Sequence, residues 1–257
     1  MSFAHFPKGV TLSDFLRGIR EANPSAHFAH ESYPSDFLRG IRGANPWDER
    51  ADLYRLSPTH REGPDLDLVV EWCEPGSGVA ALDVATGGGH VARRLREAGC
   101  SVVSCDPSPG MQPDVICRAE DLPFADGSFD VAVTRLAGHH FQDALAAVAE
   151  MARVSRGLVV VGDMLYLSEA VEEAQKLRDP SHVRTYTQAE WRGFFEAAGL
   201  EVEAVEVVEK RHHTEEWLAR TGCEGDDAER VRALLADRTD GEEWLDENVV
   251  LKARKRG

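Results

Sequence analysis

Hydrophobic and polar positions change their period several times along the chain, and each change marks an element. Val79-Ala-Ala-Leu-Asp-Val-Ala85 is a short apolar run of the buried parallel-strand kind, ended by Thr86-Gly-Gly-Gly89. Helical spacing follows from His90 to Ala98, and a second strand pattern runs from Ser101 to Asp106. Further strand patterns cover Val115 to Ala119, Phe129 to Leu136 and Gly157 to Asp163, with a helix from Asp143 to Val154 between the last two. Upstream lie two helical patterns, Trp47 to Leu56 and Leu66 to Cys73. Downstream come a helix from Gln188 to Ala198, a strand from Glu201 to Lys210, a polar helix from Asp226 to Leu235 and a strand from Asn248 to Ala253. Strands alternating with helices predict an α/β fold: a mostly parallel sheet with right-handed crossovers and helices on both faces. The two late strands predict an antiparallel hairpin on one edge.

The region before Trp47 follows a different rule. Ser13-Asp-Phe-Leu-Arg-Gly-Ile-Arg-Glu-Ala-Asn-Pro24 recurs almost unchanged as Ser35-Asp-Phe-Leu-Arg-Gly-Ile-Arg-Gly-Ala-Asn-Pro46. Each copy reads as a short helix with a Ser or Asp cap, an apolar face and an Asn-Pro stop. Two copies fall short of a solenoid. The expected organisation is therefore a duplicated extension over residues 1–46, acting as a lid or interaction segment or left loosely ordered, followed by one domain over residues 47–257.

Charge narrows the choice of partner. The chain has 45 acidic and 29 basic residues among 257, for a net charge of −16. A surface so acidic repels phosphate backbones and anionic lipid, so neither nucleic acid nor membrane is an expected partner. Lys252, Arg254, Lys255 and Arg256 form the one basic run and read as a solvated tail. No apolar stretch reaches the roughly twenty residues of a membrane span, and the N-terminus lacks a secretory signal's layout, which gives a cytoplasmic expectation. Five cysteines without a Cys-x-x-Cys spacing predict neither a disulfide framework nor a zinc site.

The chemistry-bearing constellation is strand, glycine turn, helix, strand, acid: Asp83-Val-Ala-Thr-Gly-Gly-Gly89, then Asp106. Glycines let the backbone approach a ligand lying across the strands' carboxyl ends, and an acid ending the second strand can accept hydrogen bonds from both ribose hydroxyls. A dinucleotide fingerprint would need Ala92 in its last glycine position. Asp83 would repel a pyrophosphate but suits a ligand bringing an amino group and a sulfonium, which favours S-adenosylmethionine over NAD.

From Trp47 to about residue 220 the chain resembles the class I methyltransferase superfamily. It is nearest the small-molecule branch that includes the ubiquinone and menaquinone biosynthesis methyltransferases. The resemblance rests on Leu82-Asp-Val-Ala-Thr-Gly-Gly-Gly89, Val103-Ser-Cys-Asp-Pro-Ser-Pro-Gly-Met111 and Ala119-Glu-Asp-Leu-Pro-Phe-Ala-Asp-Gly-Ser-Phe-Asp130. Arg135-Leu-Ala-Gly-His-His-Phe141 and Leu177-Arg-Asp-Pro-Ser-His-Val-Arg184 add to it. It implies a Rossmann-like sheet, S-adenosylmethionine as cofactor and methyl transfer to O, N or C of a small molecule, expected to be neutral or cationic. It further implies that Asp83, Ala85, Gly87 and Gly89 line the methionine part and that Asp106 holds the ribose. Pro107 and Met111 would lie against adenine, Ala119 and Glu120 would cover its edge, and Arg135 with Leu136 would close the pocket beside the sulfonium.

Three departures stand out. Ala85 replaces the family's usual first glycine, Arg118 stands where an Asp often takes the adenine amino group, and only Pro107 to Asp114 joins the second and third strands. A parallel crossover needs a dozen or more residues, so the usual helix there is expected to be lost.

Transfer from a sulfonium needs alignment above all, and a base only where the acceptor proton is hard to lose. His139 and His140, after the fourth strand, are the candidate catalytic residues; otherwise one packs and the other caps the next helix beside Asp143. Tyr54, His60, His182 and Arg184 are candidate substrate contacts, while His212 and His213 are expected to be solvated. No metal is expected, since adjacent histidines on regular structure cannot face one ion. If the chain assembles, a homodimer is the expected form. Competing readings are an NAD-dependent oxidoreductase and a non-catalytic S-adenosylmethionine-binding scaffold or regulatory subunit.

Overall fold

The computed structural model describes residues 27–28 and 46–256. The short helices expected of the duplicated segment lie outside the described residues. Strand β1 (His27–Phe28) is followed by helices α1 (Pro46–Leu56), α2 (Pro58–Arg61) and α3 (Pro64–Trp72). The alternating core then runs β2 (Ala80–Val84), α4 (His90–Glu97), β3 (Ser101–Asp106), β4 (Val115–Ile116), β5 (Phe129–Arg135), α5 (Ala144–Val154) and β6 (Ser155–Met164). Helices α6 (Glu169–Arg178) and α7 (Gln188–Ala197) lead to the long strand β7 (Leu200–His213). Helices α8 (Thr214–Ala219) and α9 (Gly225–Leu234), strand β8 (Thr239–Asp240) and strand β9 (Glu243–Lys255) complete it.

The strands form one sheet in the order β1-β4-β3-β2-β5-β6-β9-β7, with β8 paired to β9. Neighbours from β4 through β6 are parallel; β9 pairs antiparallel with both β6 and β7. The apolar runs that predicted buried strands are buried on both faces. Leu82, Val103, Ala132 and Val159 face a core with Val148 and Met151 of α5 and Trp191 and Phe195 of α7. Their neighbours Ala81, Val102, Val131 and Val160 face Leu66 and Val69 of α3 and Val91 and Leu95 of α4. A third cluster, with Trp217, Leu218, Val231 and Trp244, packs α8 and α9 against the start of β9.

Local signals end the elements where sequence logic puts them. The Asp143 carboxylate accepts from Ala146 N at 2.9 Å to cap α5, and Thr187 with Glu190 forms a reciprocal capping box on α7. Each cap contributes roughly 1 kcal/mol. The eight residues between β3 and β4 hold only a single 3₁₀ turn, Pro109–Met111, so the crossover helix is indeed lost. That exposed side of the sheet carries the antiparallel pairing of β1 with β4, His27 opposite Ile116 and Phe28 opposite Val115.

Three expectations need correction. Strand β4 stops at Ile116 rather than Ala119, since Arg118 turns the chain into a bridge with Asp121. The basic run is no solvated tail: Lys252 and Arg254 belong to β9 and pair with Glu74 and Glu203 across the sheet edge. His212 and His213 lie inside β7, opposite Trp244 and Glu243, and His212 is buried.

Candidate active site

The carboxyl ends of β2, β3, β5 and β6 open into one cavity of about 250 Å³. The antiparallel register brings the far part of β7 and the first half of β9 to the same edge: Met164 pairs with Asn248, and Lys210 with Asp246. One cavity therefore runs from the glycine turn to the β7–β9 ribbon.

At the turn end, the Asp83 carboxylate accepts from Thr86 Oγ1 at 2.5 Å and from Ala92 N at 3.0 Å, tying the strand to the following helix. Burial pushes its carboxyl up to about 6 against those two hydrogen bonds. Asp106, at the end of β3, accepts from Ser108 N at 2.9 Å and Gly87 N at 3.0 Å, and burial likewise pushes it up to about 6. The turn between the two acids uses the left-handed region at Ala85 (φ 53°) and Gly87 (φ 50°). Glycine takes that conformation freely, whereas Ala85 holds it at a steric cost. Pro107 and Met111 line the cavity beside Asp106, held by α1: Asp48 accepts from Ser108 Oγ at 2.5 Å and Gly110 N at 2.7 Å. Ala119 and Glu120 line the wall opposite; Glu120 Oε1 accepts from Gln142 N at 2.8 Å.

In the middle stand Arg135, Leu136, His139 and His140. Arg135 donates Nε to Asp65 at 2.8 Å and Nη1 to the His60 carbonyl at 2.8 Å. Asp65 also takes Lys210 Nζ at 3.4 Å and Asn248 Nδ2 at 3.2 Å. Burial alone would raise the Asp65 carboxyl, but Lys210 and Arg135 outweigh it and hold it below the ordinary range. His139 sits on the 3₁₀ turn Gly138–His140, its Nδ1 2.6 Å from Asp163 Oδ1 in β6. Burial keeps the His139 ring neutral by pulling it well below its ordinary value, while burial pushes Asp163 up to about 7. We assign the shared proton to Nδ1, donating to the carboxylate, which leaves Nε2 as a lone-pair nitrogen. His140 donates Nδ1 to the Ser181 carbonyl at 3.0 Å, and burial beside His139 pulls it down to about 3. Gly138 is required by contact: a Cβ there would come within 2.7 Å of Asp163 Oδ2 and of the Trp191 ring.

Tyr54, His60 and His182 also line the cavity. Edge-on ring contacts link Trp47 to Tyr54, Tyr54 to His60 and Trp47 to His140, at 5.2, 5.1 and 4.6 Å between centroids. Two expected residues stand outside the wall. Gly89 caps α4 at φ 75° behind its neighbours Gly88 and His90, and Arg184 is turned to Glu190 and the face of Tyr186. Neither is a lining residue. Among the described residues no group of three or more His, Cys, Asp or Glu is placed to hold a metal ion, and no helix is long and apolar enough to cross a membrane.

Sequence reasoning missed the deep wall: Gln175, Arg178, Asp179, Lys210, Asp246 and Asn248 among others, backed by Asp65. Polar residues at the ends of two strands read as turns. The one available signal was period-two spacing in Trp244, Asp246 and Asn248, all buried.

Comparison with known proteins gives a consistent result. The family described as "Methyltransferase domain" matches residues 82–161, from β2 through β6. The uncharacterized methyltransferase YcgJ of Bacillus subtilis is 29% identical over 216 residues, covering 76% of this chain and 85% of the relative. A demethylmenaquinone methyltransferase of Beutenbergia cavernae is 40% identical over 98 residues, 34% of this chain and 41% of that protein. The crystal structure of the Bacillus subtilis YcgJ protein superposes with a TM-score of 0.68 at 25% identity, covering 75% of this chain and 98% of that one. A putative methyltransferase from Bacillus halodurans gives 0.67 at 24% identity, covering 76% and 100%.

Proposed function

We propose that this chain, a class I S-adenosylmethionine-dependent methyltransferase, methylates O, N or C of a small cytoplasmic molecule through a site shared between the glycine turn and the His139–Asp163 pair. The observation that carries the proposal is the continuity of the cavity, which puts Asp83, Asp106, Leu136 and His139 in one enclosure at the strands' carboxyl ends. The residues fit the cofactor. Two buried carboxylates face the cavity across a backbone turn close enough to receive a ligand, and each has oxygen capacity beyond the bonds it makes. Asp83, Ala85 and Gly87 would hold the amino-acid end, Asp106 the ribose, and Pro107, Met111, Ala119 and Glu120 the adenine. Bound there, the cofactor supplies an activated methyl group on a sulfonium.

The chain's own work is alignment and proton removal. His139 Nε2 takes the acceptor proton while Asp163 fixes the tautomer and steadies the imidazolium, which favours acceptors bearing an ionisable O–H, N–H or activated C–H. His140, half-buried and held on the Ser181 carbonyl, and His182, buried beside Glu172, orient the acceptor and exclude water. The roof of Trp47, Tyr54 and His60 closes the mouth, and β1 covers the β4 edge through its pairing of His27 with Ile116 and Phe28 with Val115. Deleting residues 1–44 should weaken S-adenosylhomocysteine binding and lower the unfolding midpoint; no change in either would remove the role of that segment.

The test supplies methyl-labelled S-adenosylmethionine and the low-molecular-weight fraction of a bacterial extract. Label should pass to a small product, and His139→Ala should lose transfer while still binding S-adenosylhomocysteine. Transfer only to protein or nucleic acid would overturn the acceptor class. A His139→Ala variant of unchanged rate would overturn the base.

A further inference from the structure

The deep end of the cavity carries charge that the methyl-transfer reading does not use. Arg178 is buried, with Nε donating to the Trp217 carbonyl at 2.9 Å and the guanidinium stacked 4.2 Å over the Trp217 ring. That pair fixes the plane of the fork on a side chain that lines the cavity. Arg220, half-buried, lines the same end. Among the described residues neither guanidinium has a carboxylate within ion-pair distance: Asp179 and Asp246 act on Arg178, and Glu216 on Arg220, at longer range only. Lys210 lies alongside; among the described residues its one carboxylate within ion-pair distance is Asp65 at 3.4 Å, already committed to Arg135 and Asn248, with Asp246 acting on it at longer range.

The surrounding acids are occupied or poor neutralisers. Asp179 Oδ1 takes both the amide and hydroxyl of Ser181, at 3.0 and 2.6 Å. Asp246 takes Glu247 N at 2.9 Å, and its other oxygen lies 3.8 Å from His212 Nε2. A chain of net charge −16 thus concentrates Arg135, Arg178, Lys210 and Arg220 around one enclosed space. Burying a guanidinium without an anion is costly, and its neighbours here do not supply one. Trp217 and His212 give the same space aromatic walls.

We propose that this end binds an oxyanion of the acceptor, a carboxylate or phosphate, gripped by Arg178, Arg220 and Lys210, so that the substrate is a small organic acid presented with its other end toward His139. The inference rests on the methyltransferase reading. It reverses the neutral or cationic acceptor expected from the sequence, because a ligand inside the cavity meets the charges that line it rather than those of the surface.

The test uses the full chain saturated with S-adenosylhomocysteine, at constant ionic strength. Benzoate, benzamide, phenyl phosphate and inorganic phosphate are compared by thermal shift and calorimetry. At least one oxyanion should bind about tenfold more tightly than benzamide, the gain expected of a charge-assisted pair. A response to benzoate alone identifies a carboxylate site, and a response to the phosphates alone a phosphate site. Arg178→Gln and Arg220→Gln should each lose about that tenfold while keeping S-adenosylhomocysteine affinity, and Arg178→Lys should keep part of the preference. Equal binding of benzamide and every oxyanion, or Gln variants that respond like the parent, would overturn the proposal. Loss of S-adenosylhomocysteine binding by the parent chain would instead sink the methyltransferase reading. Where labelled methyl transfer succeeds, the product should be retained on an anion exchanger; a neutral or cationic product would overturn the oxyanion alone.

Discussion

Asp65→Ala is the perturbation with the largest calculable effect. In the folded chain the Asp65 side chain is 3% exposed, Arg135 4% and Lys210 10%. Removing the carboxylate strands two buried cations, with Arg135 Nη2 losing a 2.7 Å partner. Breaking a buried pair in this way costs about 3–5 kcal/mol, because the remaining charge stays desolvated. For a domain of this size that is a fall in unfolding midpoint of roughly 6–20 °C. The assay is reversible urea unfolding followed by tryptophan fluorescence and far-ultraviolet circular dichroism, with Asp67→Ala as control. The control breaks an ion pair with Arg94 whose side chains are 64% and 32% exposed, and should cost less than about 1 kcal/mol. Combining Asp65→Leu with Arg135→Met and Lys210→Met should recover most of the loss, since apolar groups of similar volume carry no desolvation penalty. A cost below about 1 kcal/mol for Asp65→Ala, or no recovery in the triple variant, would refute the unpaired-charge account.

Three shorter expectations follow from the same geometry. Ala85→Gly should raise stability by up to about 1 kcal/mol in urea unfolding, by relieving a left-handed residue, less the added freedom of the unfolded chain. Gly138→Ala should destabilise by about 1–3 kcal/mol and shift the His139 imidazole signals in NMR, because Asp163 and Trp191 are too buried to yield easily. Burial pushes the Asp83 and Asp106 carboxyls up to about 6, and the proposed contacts need them ionised, so binding should be full above that value and fall away below it. Calorimetry from about pH 7.5 to about pH 5 should show S-adenosylhomocysteine affinity falling roughly tenfold or more, and a flat profile would count against both carboxylates as contacts.

What the sequence disclosed depended on whether a residue's partner was close along the chain. The glycine turn, its two acids, the Asp143 cap and the lost crossover helix are written within stretches of a few residues, where turn chemistry and period suffice. The ends of β7 and β9 were legible only in part. Their apolar centres, Glu201 to Lys210 and Asn248 to Ala253, show strand alternation, but His212, Trp244 and Asp246 extend it with polar groups that read locally as solvated turn. Asp65 could not be recognised at all, since Arg135, Lys210 and Asn248 lie 70, 145 and 183 residues away and only the folded sheet brings them together. His139 and His140 were found because they follow a strand's carboxyl end, yet the partner that sets the proton on His139, Asp163, belongs to the next strand.

The insertion of β9 between β6 and β7 bears on how the protein reaches its working form. Leu158 in β6 finds Arg254 in β9 only after the whole intervening chain has been laid down, and such distant pairings form slowly because loop closure precedes any gain from contact. The glycine turn, by contrast, is assembled from β2, α4 and β3, which are consecutive. With the cofactor and acceptor ends of the cavity placed as proposed, a refolding chain should therefore pass through a stage that recognises the adenosine end of the cofactor but has no acceptor wall. Cofactor-competent molecules will then outnumber catalytically competent ones whenever docking of β9 is delayed.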